Sequence, residues 1–252
     1  MSAPLVALHG VSKTFDNGVE ALAPVDLAMN EGEFLSLVGP SGCGKSTALR
    51  LIAGLVRPTQ GDIEFPGGRP EMGFVFQEPT LMPWATAFEN ARLPLDLKHV
   101  PRSEANARAA AALAETGLAE FEHAYPRELS GGMKMRVSIA RAFVSAPTLL
   151  LMDEPFAALD EMTRQELNDD FIRLWQASGR RLTVVFVTHS VAEAAYLSTR
   201  VAVMSPRPGR IVADIPVSRA RVPDAAYRFT PEFVENAKRI SNALHGAMKV
   251  AA

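Results

Sequence analysis

Runs of consecutive apolar residues alternate along the chain with stretches in which apolar residues recur every three or four positions. Residues 33–38 (EFLSLV), 71–76 (EMGFVF), 148–152 (TLLLM), 182–188 (LTVVFVT) and 200–204 (RVAVM) are rich in Val, Leu and Phe without alternation. That pattern predicts strands covered on both faces, as in a sheet lying between layers of helices. Between them, 103–117 (SEANARAAAALAETG) joins strong helix formers to a terminating glycine. Residues 159–178 carry Leu167, Phe171, Leu174 and Trp175 at helical spacing and stop before Gly179. Such alternation predicts an α/β fold. Residues 79–142 are mostly helical in pattern, which predicts a helical subdomain inserted into the α/β core. Near the end, Phe233, Ala237, Ile240, Leu244 and Met248 predict an amphipathic helix over 231–248.

Composition narrows the class. The 252 residues are 48% hydrophobic and 21% charged, with a formal net charge of −2. This is a globular composition without the bulk positive charge that nucleic-acid binding uses. A single cysteine, Cys43, excludes an internal disulfide and fits a reducing compartment. The start MSAPLVALHG lacks the basic region of a secretory signal, and no apolar run reaches the about 18 residues that a bilayer demands. A soluble, cytoplasmic chain is expected. Residues 207–252 hold eight Lys/Arg against four acids. The 231–248 helix has no Trp and mixed charge, which favours packing on its own domain over contact with anionic lipid.

The chemistry begins at 39–47, GPSGCGKST, which matches Gly-x-x-x-x-Gly-Lys-[Ser/Thr] between a strand and a helix over 46–53. Glycines let consecutive amides curl round a phosphate, where Lys45 would contact the β- and γ-phosphates and the Ser46 hydroxyl would ligate Mg²⁺. Cys43 stands at an unspecified position of the pattern, where an incidental thiol is one reading; among these amides at a helix N-terminus, a reactive thiol that nucleotide protects is the other. Residues 149–154, LLLMDE, are an apolar strand ending in two acids. Asp153 fits a Mg²⁺ partner and Glu154 is placed to orient and polarise water; a solvated strand-end turn is the alternative for the pair alone. ELSGGMKMR (128–136) is harder to place, because each internal glycine costs a helix about 1 kcal/mol. Two glycines are tolerable only in the first turn, with Ser130 as N-cap, and bare amides there suit a phosphate. Gln77, Asp160 in FAALD, His189 after LTVVFVT and Phe15 in SKTFDNG are each more often turn or core residues, and they gain meaning from their order.

In that order, GPSGCGKST, Gln77, LSGGM, LLLMDEP, Asp160 and His189, with Phe15 at the aromatic-loop position, resemble the ATP-binding subunits of ABC transporters over roughly residues 5–215. The resemblance implies a P-loop NTPase core with a mixed sheet over 1–78 and 143–215, and a helical subdomain carrying the signature motif over 79–142. Residues 216–252 would form a C-terminal helical extension. It implies ATP and Mg²⁺ as cofactors. ATP would be held by Phe15, Gly39, Pro40, Ser41, Gly42, Cys43, Gly44, Lys45, Ser46 and Thr47, and Mg²⁺ by Ser46, Gln77 and Asp153. Glu154 would be the catalytic base, aided by His189 and Gln77, with Asp160 in the D-loop.

Two such subunits, identical or paired, would sandwich two ATP molecules head to tail. Ser130, Gly131 and Gly132 would then serve the partner's nucleotide, which accounts for glycines opening a helix. A membrane permease would dock on about 79–95, where Leu81, Met82, Pro83 and Trp84 cluster; core packing of Trp84 is the competing reading. A solute-binding protein would act indirectly, and no nucleic acid is expected. PTLMPWATAFENARLPL (79–95) and Met133 after LSGG resemble the nitrate, taurine and alkanesulfonate importers, whereas Met135 stands where those relatives often carry a polar residue. This implies import of a small oxyanion by a peripheral protein at the cytoplasmic face of the bacterial inner membrane. The other class is a soluble ABC-type ATPase with a non-transport partner, or an importer of a different organic solute. Tandem nucleotide domains or heptad arms would mark the soluble class, and the chain has neither.

Overall fold

Alternation of apolar and polar residues, absent from the predicted strands, builds the start of the chain. In the computed structural model, which describes residues 3–178, 182–218 and 224–249, β1 (Val6–Thr14) and β2 (Glu20–Met29) pair antiparallel with Val6 opposite Met29. Every second residue from Val25 to Met29 is buried, which makes this a sheet with one covered face. The short, polar β4 (Gln60–Glu64) pairs the other edge of β1.

Packing divides the chain into two units, Met1–Pro70 with Ser178–Ala252, and Glu71–Ala177. Besides the three-stranded sheet, the first holds β3 (Phe34–Val38), α1 (Lys45–Ile52), β7 (Thr183–Thr188), α6 (Val191–Leu197), β8 (Arg200–Met204), β9 (Ile211–Pro216) and α7 (Pro231–Lys249). Its strands run in the order β7-β3-β8-β9, parallel except for the last, which is the mixed sheet expected. Every residue of β3 and β7 is buried, as unbroken apolar runs require.

The second unit holds β5 (Met72–Val75), α2 (Ala87–Leu97), α3 (Arg102–Glu115), α4 (Gly131–Phe143), β6 (Leu149–Asp153) and α5 (Glu161–Ala177). β5 and β6 are parallel, with Val75 opposite Met152. The helices meet through small residues: Ala87 and Ala91 of α2, Ala105 and Ala109 of α3, and Ala140 of α4 share one core. Reciprocal hydrogen bonds between Thr86 and Glu89 start α2. This unit takes in β5, β6 and α5 as well as the segment 79–142.

The C-terminal helix packs within the first unit. Ile240 and Ala247 are buried against Ala194, Ala195, Val201 and Val203, with Phe233, Ala237 and Leu244 half-buried beside them. The predicted apolar face is corrected at its end, where Ala247 is buried and Met248 is 42% exposed. The predicted stop at Gly179 and the basic Arg219 and Arg221 lie outside the described residues. Ile240→Ala should cost about 2–5 kcal/mol in denaturant unfolding of the full chain, and Met248→Ala less than about 0.5 kcal/mol.

Candidate functional site

β3 delivers the chain into the loop 39–44 and α1 takes it away. Gly42 and Gly44 have φ of 74° and 104°, in the region that favours glycine. Space imposes the same choice at Gly44. A Cβ there would lie 2.6 Å from the Ala21 carbonyl oxygen and 2.7 Å from Leu22 Cδ2. Lys45 is only 4% exposed, and its Nζ donates to the carbonyls of Gly39 at 2.8 Å and Pro40 at 3.0 Å. The ammonium is thereby fixed inside the loop. Ser41 and Gly42 stand exposed at its crest, and Ser46 and Thr47 occupy the first turn of α1. No side chain caps α1 and no acid sits in its first turn. Its N-terminal amides and positive dipole end are therefore suited to an anionic ligand.

Cys43 corrects the expectation. Its backbone belongs to the loop, but the residue is 1% exposed, and Sγ lies 2.8 Å from where a Cβ on Gly39 would be. The thiol is packed into the interior, where burial opposes the expected reactivity.

Two further predicted residues belong to the same unit. Val38 of β3 is in register with Thr188 of β7, so Gly39 and His189 leave the sheet at the same end. The turn carrying the exposed His189 is fixed from below by groups that the sequence reading missed. Thr188 Oγ1 donates to the buried Glu193 and accepts the Ser190 N–H at 2.9 Å, while Ser190 Oγ caps α6 through the Glu193 N–H at 3.3 Å. The Ser-x-x-Glu spacing at 190–193 is a helix-start signal that could have found them. Phe15 lies at the turn between β1 and β2, its amide bonded to the Val19 carbonyl at 2.9 Å, its ring 38% exposed with Lys13 Nζ 5.3 Å from the centroid. Since β2 also supplies the Ala21 carbonyl behind Gly44, one hairpin supports both the aromatic ring and the phosphate loop.

The second unit carries the acids and the signature. The register of β5 and β6 makes Gln77 and the Asp153–Glu154 pair emerge at the same strand ends. Asp153 is 5% exposed. Glu154 has φ of 45°, a conformation that costs a non-glycine residue about 1–3 kcal/mol and persists only where the surroundings enforce it. At the start of α4, Ser130 Oγ accepts the Met133 N–H at 3.2 Å, and Ser130 and Gly131 are exposed. Gly132 is buried, and a Cβ there would meet Thr163 Cγ2 at 2.8 Å. Thr163 also donates its N–H to Asp160 Oδ1 at 3.0 Å, and that bond, above all, holds the Asp160 carboxyl below its ordinary pKa. The signature and Asp160 thus meet at the starts of two helices.

The apolar cluster 81–84 divides. Leu81 packs into the helical core, whereas Trp84 is 75% exposed, which removes core packing as its role. Met135 is buried in α4 and Met133 packs against the helical core, so both methionines support the helix from inside.

Among the described residues, no group of three or more His, Cys, Asp or Glu forms a metal cluster. Ser46, Gln77 and Asp153 offer hydroxyl, amide and carboxylate oxygens. Each is a hard oxygen donor of the kind that Mg²⁺ takes.

Residues 22–157 match the ABC transporter family. An ABC transporter ATP-binding protein of Methanocaldococcus jannaschii is 45% identical over 94% of this chain and 90% of its own length. A taurine import ATP-binding protein of Rhizobium johnstonii is 43% identical over 90% of each. The fold matches an ATP-binding cassette solved as a dimer in a post-hydrolysis state with ADP and Pi, with TM-score 0.75, 34% identity, and coverage of 85% of this chain and 99% of that one. The chain belongs to the ABC transporter family. Within that family it is an ATP-binding, ATP-hydrolysing subunit.

Burial of Cys43 leads to a direct expectation. Maleimide should label the native chain at least about a hundredfold more slowly than the chain in denaturant, with or without ATP. Fast native labelling, blocked by ATP, would restore the thiol to the nucleotide face.

Proposed function

We propose that the chain works as a head-to-tail dimer at the cytoplasmic face of a bacterial inner membrane, where ATP hydrolysis drives permease subunits to import a small oxyanion. Taurine, another alkanesulfonate or nitrate is the class of solute, supported by the taurine importer relative and by the segment 79–95. The observation that carries the reading is the exposed Ser130–Gly131 start of α4, with Gly132 wedged on Thr163. Its amides and dipole are turned outward, where a second subunit's nucleotide can use them.

Each residue has a role that follows from its chemistry. Phe15 stacks on the adenine face, and the amides of 39–47 wrap the phosphates. Lys45 pairs with the β- and γ-phosphates. The Glu154 carboxylate accepts a hydrogen bond from water and aligns its oxygen with the γ-phosphorus. As that oxygen bonds to phosphorus, the bond to the ADP oxygen breaks and the water proton is released toward the carboxylate. His189 and Gln77 hold the γ-phosphate and the water, while Asp160 and Ser130 serve across the dimer. Ser46, Gln77 and Asp153 would hold Mg²⁺, which when bound neutralises phosphate charge.

Among the described residues no helix is long and apolar enough to cross a membrane. The partner would supply the membrane path, docking on the helical segment through Trp84, 75% exposed beside the exposed Pro83. A solute-binding protein would act on the far side, through the permease.

The test uses the chain with and without its co-purified permease. Lys45→Ala should lose nucleotide binding, while Glu154→Gln should bind ATP and accumulate as a dimer. Trp84→Ala should keep the isolated chain's ATPase rate and abolish uptake of labelled taurine or nitrate by the complex. A monomeric, rapidly hydrolysing Glu154→Gln would remove Glu154 from its role. Undiminished uptake with Trp84→Ala would remove the docking surface.

A further inference from the structure

Gln77 leaves β5 and enters a segment that runs through Trp84 into α2. Two side chains hold this segment. Asn90 of α2, fully buried, donates from Nδ2 to the carbonyls of Met82, Ala85 and Thr86 at 3.2, 3.1 and 2.9 Å, and its Oδ1 accepts the Met82 N–H at 2.8 Å. These bonds are local, since the segment leads into α2. The second holder comes from far along the chain. Arg141 of α4 donates to the Thr80 carbonyl at 2.9 Å, to the Pro79 carbonyl at 2.7 Å and to the Thr80 hydroxyl at 3.1 Å.

Two observations separate Arg141 from an ordinary surface arginine. Burial lowers its pKa from the ordinary value, and among the described residues it makes no ion pair. A partly desolvated cation without a counter-ion is costly unless its donors are satisfied, and here backbone carbonyls and hydroxyls satisfy them. Its chief target is also unusual. Thr80 has φ of 47°, a region that a β-branched residue rarely enters and keeps only when its surroundings enforce it. The guanidinium grips both oxygens of that residue.

We propose that Arg141 is a positioning residue for ATP turnover: it locks the strained Pro79–Thr80 turn onto α4, so that Gln77, Trp84 and the signature Ser130 move as one body. This rests on the roles proposed above for those three residues. Ser130 starts the helix that carries Arg141, and Gln77 and Trp84 flank the turn that Arg141 holds. A shift of α4 on meeting nucleotide is thereby passed to the permease-facing loop, and a docked permease acts back on Ser130 by the same contacts.

The test compares the full-length chain with Arg141→Ala, Arg141→Lys, and Arg141→Ala combined with Thr80→Gly. ATPase kinetics and hydrogen exchange of the 77–82 amides are measured, with melting curves to report the fold. Arg141→Ala should lower kcat roughly tenfold or more, because several charge-assisted bonds are lost, while KM for ATP stays within about threefold. Exchange at 77–82 should rise without a matching loss elsewhere. Lysine should not rescue, since one ammonium cannot reproduce the planar fork across three acceptors. Thr80→Gly should recover part of kcat, because glycine adopts the positive φ without a clamp. Parental kcat in Arg141→Ala, or unchanged exchange at 77–82, overturns the proposal. A double variant worse than the single overturns the claim that Arg141 acts by holding Thr80. Should the parent itself prove inactive, the proposed catalytic roles fail, while the exchange arm still reads the clamp.

Discussion

Backbone packed on backbone is the constraint behind the loop proposed to bind phosphate. At Gly44 the loop passes so close to the Ala21 carbonyl that a methyl group would sit at 2.6 Å. On another side stands Gly209, whose own Cβ would fall 2.0 Å from the Cys43 carbonyl oxygen. Gly209 is tied to β2 in turn, donating its N–H to the Ala21 carbonyl at 3.1 Å and accepting the Ala23 N–H at 3.1 Å. The loop is thus wedged between two pieces of main chain, with the Leu22 side chain packed beside Gly44. Amides that must meet a phosphate gain from such fixing, because the cost of ordering them is met in folding and not in binding. Lys45, folded onto two loop carbonyls, is fixed by the same closure.

The second unit solves a different problem: presenting acids and helix starts at its surface without losing their geometry. Glu154 is held by a backbone turn that a free chain would avoid, and Asp160 by the Thr163 amide. Gly132 lets α4 approach Thr163 closely enough for Ser130 and Asp160 to share one edge. In each case the functional group is short and its stiffness comes from the main chain. The longer side chains, Arg141 and Asn90, instead anchor the loop that bears Trp84. The groups proposed for phosphate chemistry and for partner contact thus rest on different kinds of support.

What could be read from the sequence follows from the same physics. β3, β6 and β7 were legible because burial on both faces leaves an unbroken apolar run. β1, β2 and β4 are harder to read, since a sheet with one open face mixes Asp26, Pro24 and other polar-face residues into the pattern, and β9 is the half-exposed edge of the mixed sheet. The candidate phosphate loop was legible through its glycines, since Gly42 and Gly44 take φ values that favour glycine and Gly44 packs too closely for a Cβ. The burial of Cys43 was not legible, because a loop motif specifies backbone path and says nothing of which face a side chain takes. Trp84 could be found as an apolar residue but not placed, as exposure depends on helices that meet only in three dimensions. The clamp made by Arg141 left no local trace, since its shortest bonds go to residues 61 and 62 positions away.

The central claim is that the helix opened by Ser130 serves the nucleotide of another subunit. Mixed dimers in the Glu154→Gln background test it most directly, one chain carrying Lys45→Ala and the other Ser130→Arg. If the signature acts across the dimer, both defects fall in one composite site and the other site is whole. Mixed dimers should then occlude about one ATP each, while either mutant alone occludes none. If the signature served its own chain's loop, each site would carry one defect. Mixed dimers that occlude no ATP, although the parent Glu154→Gln dimer occludes two, would contradict the account.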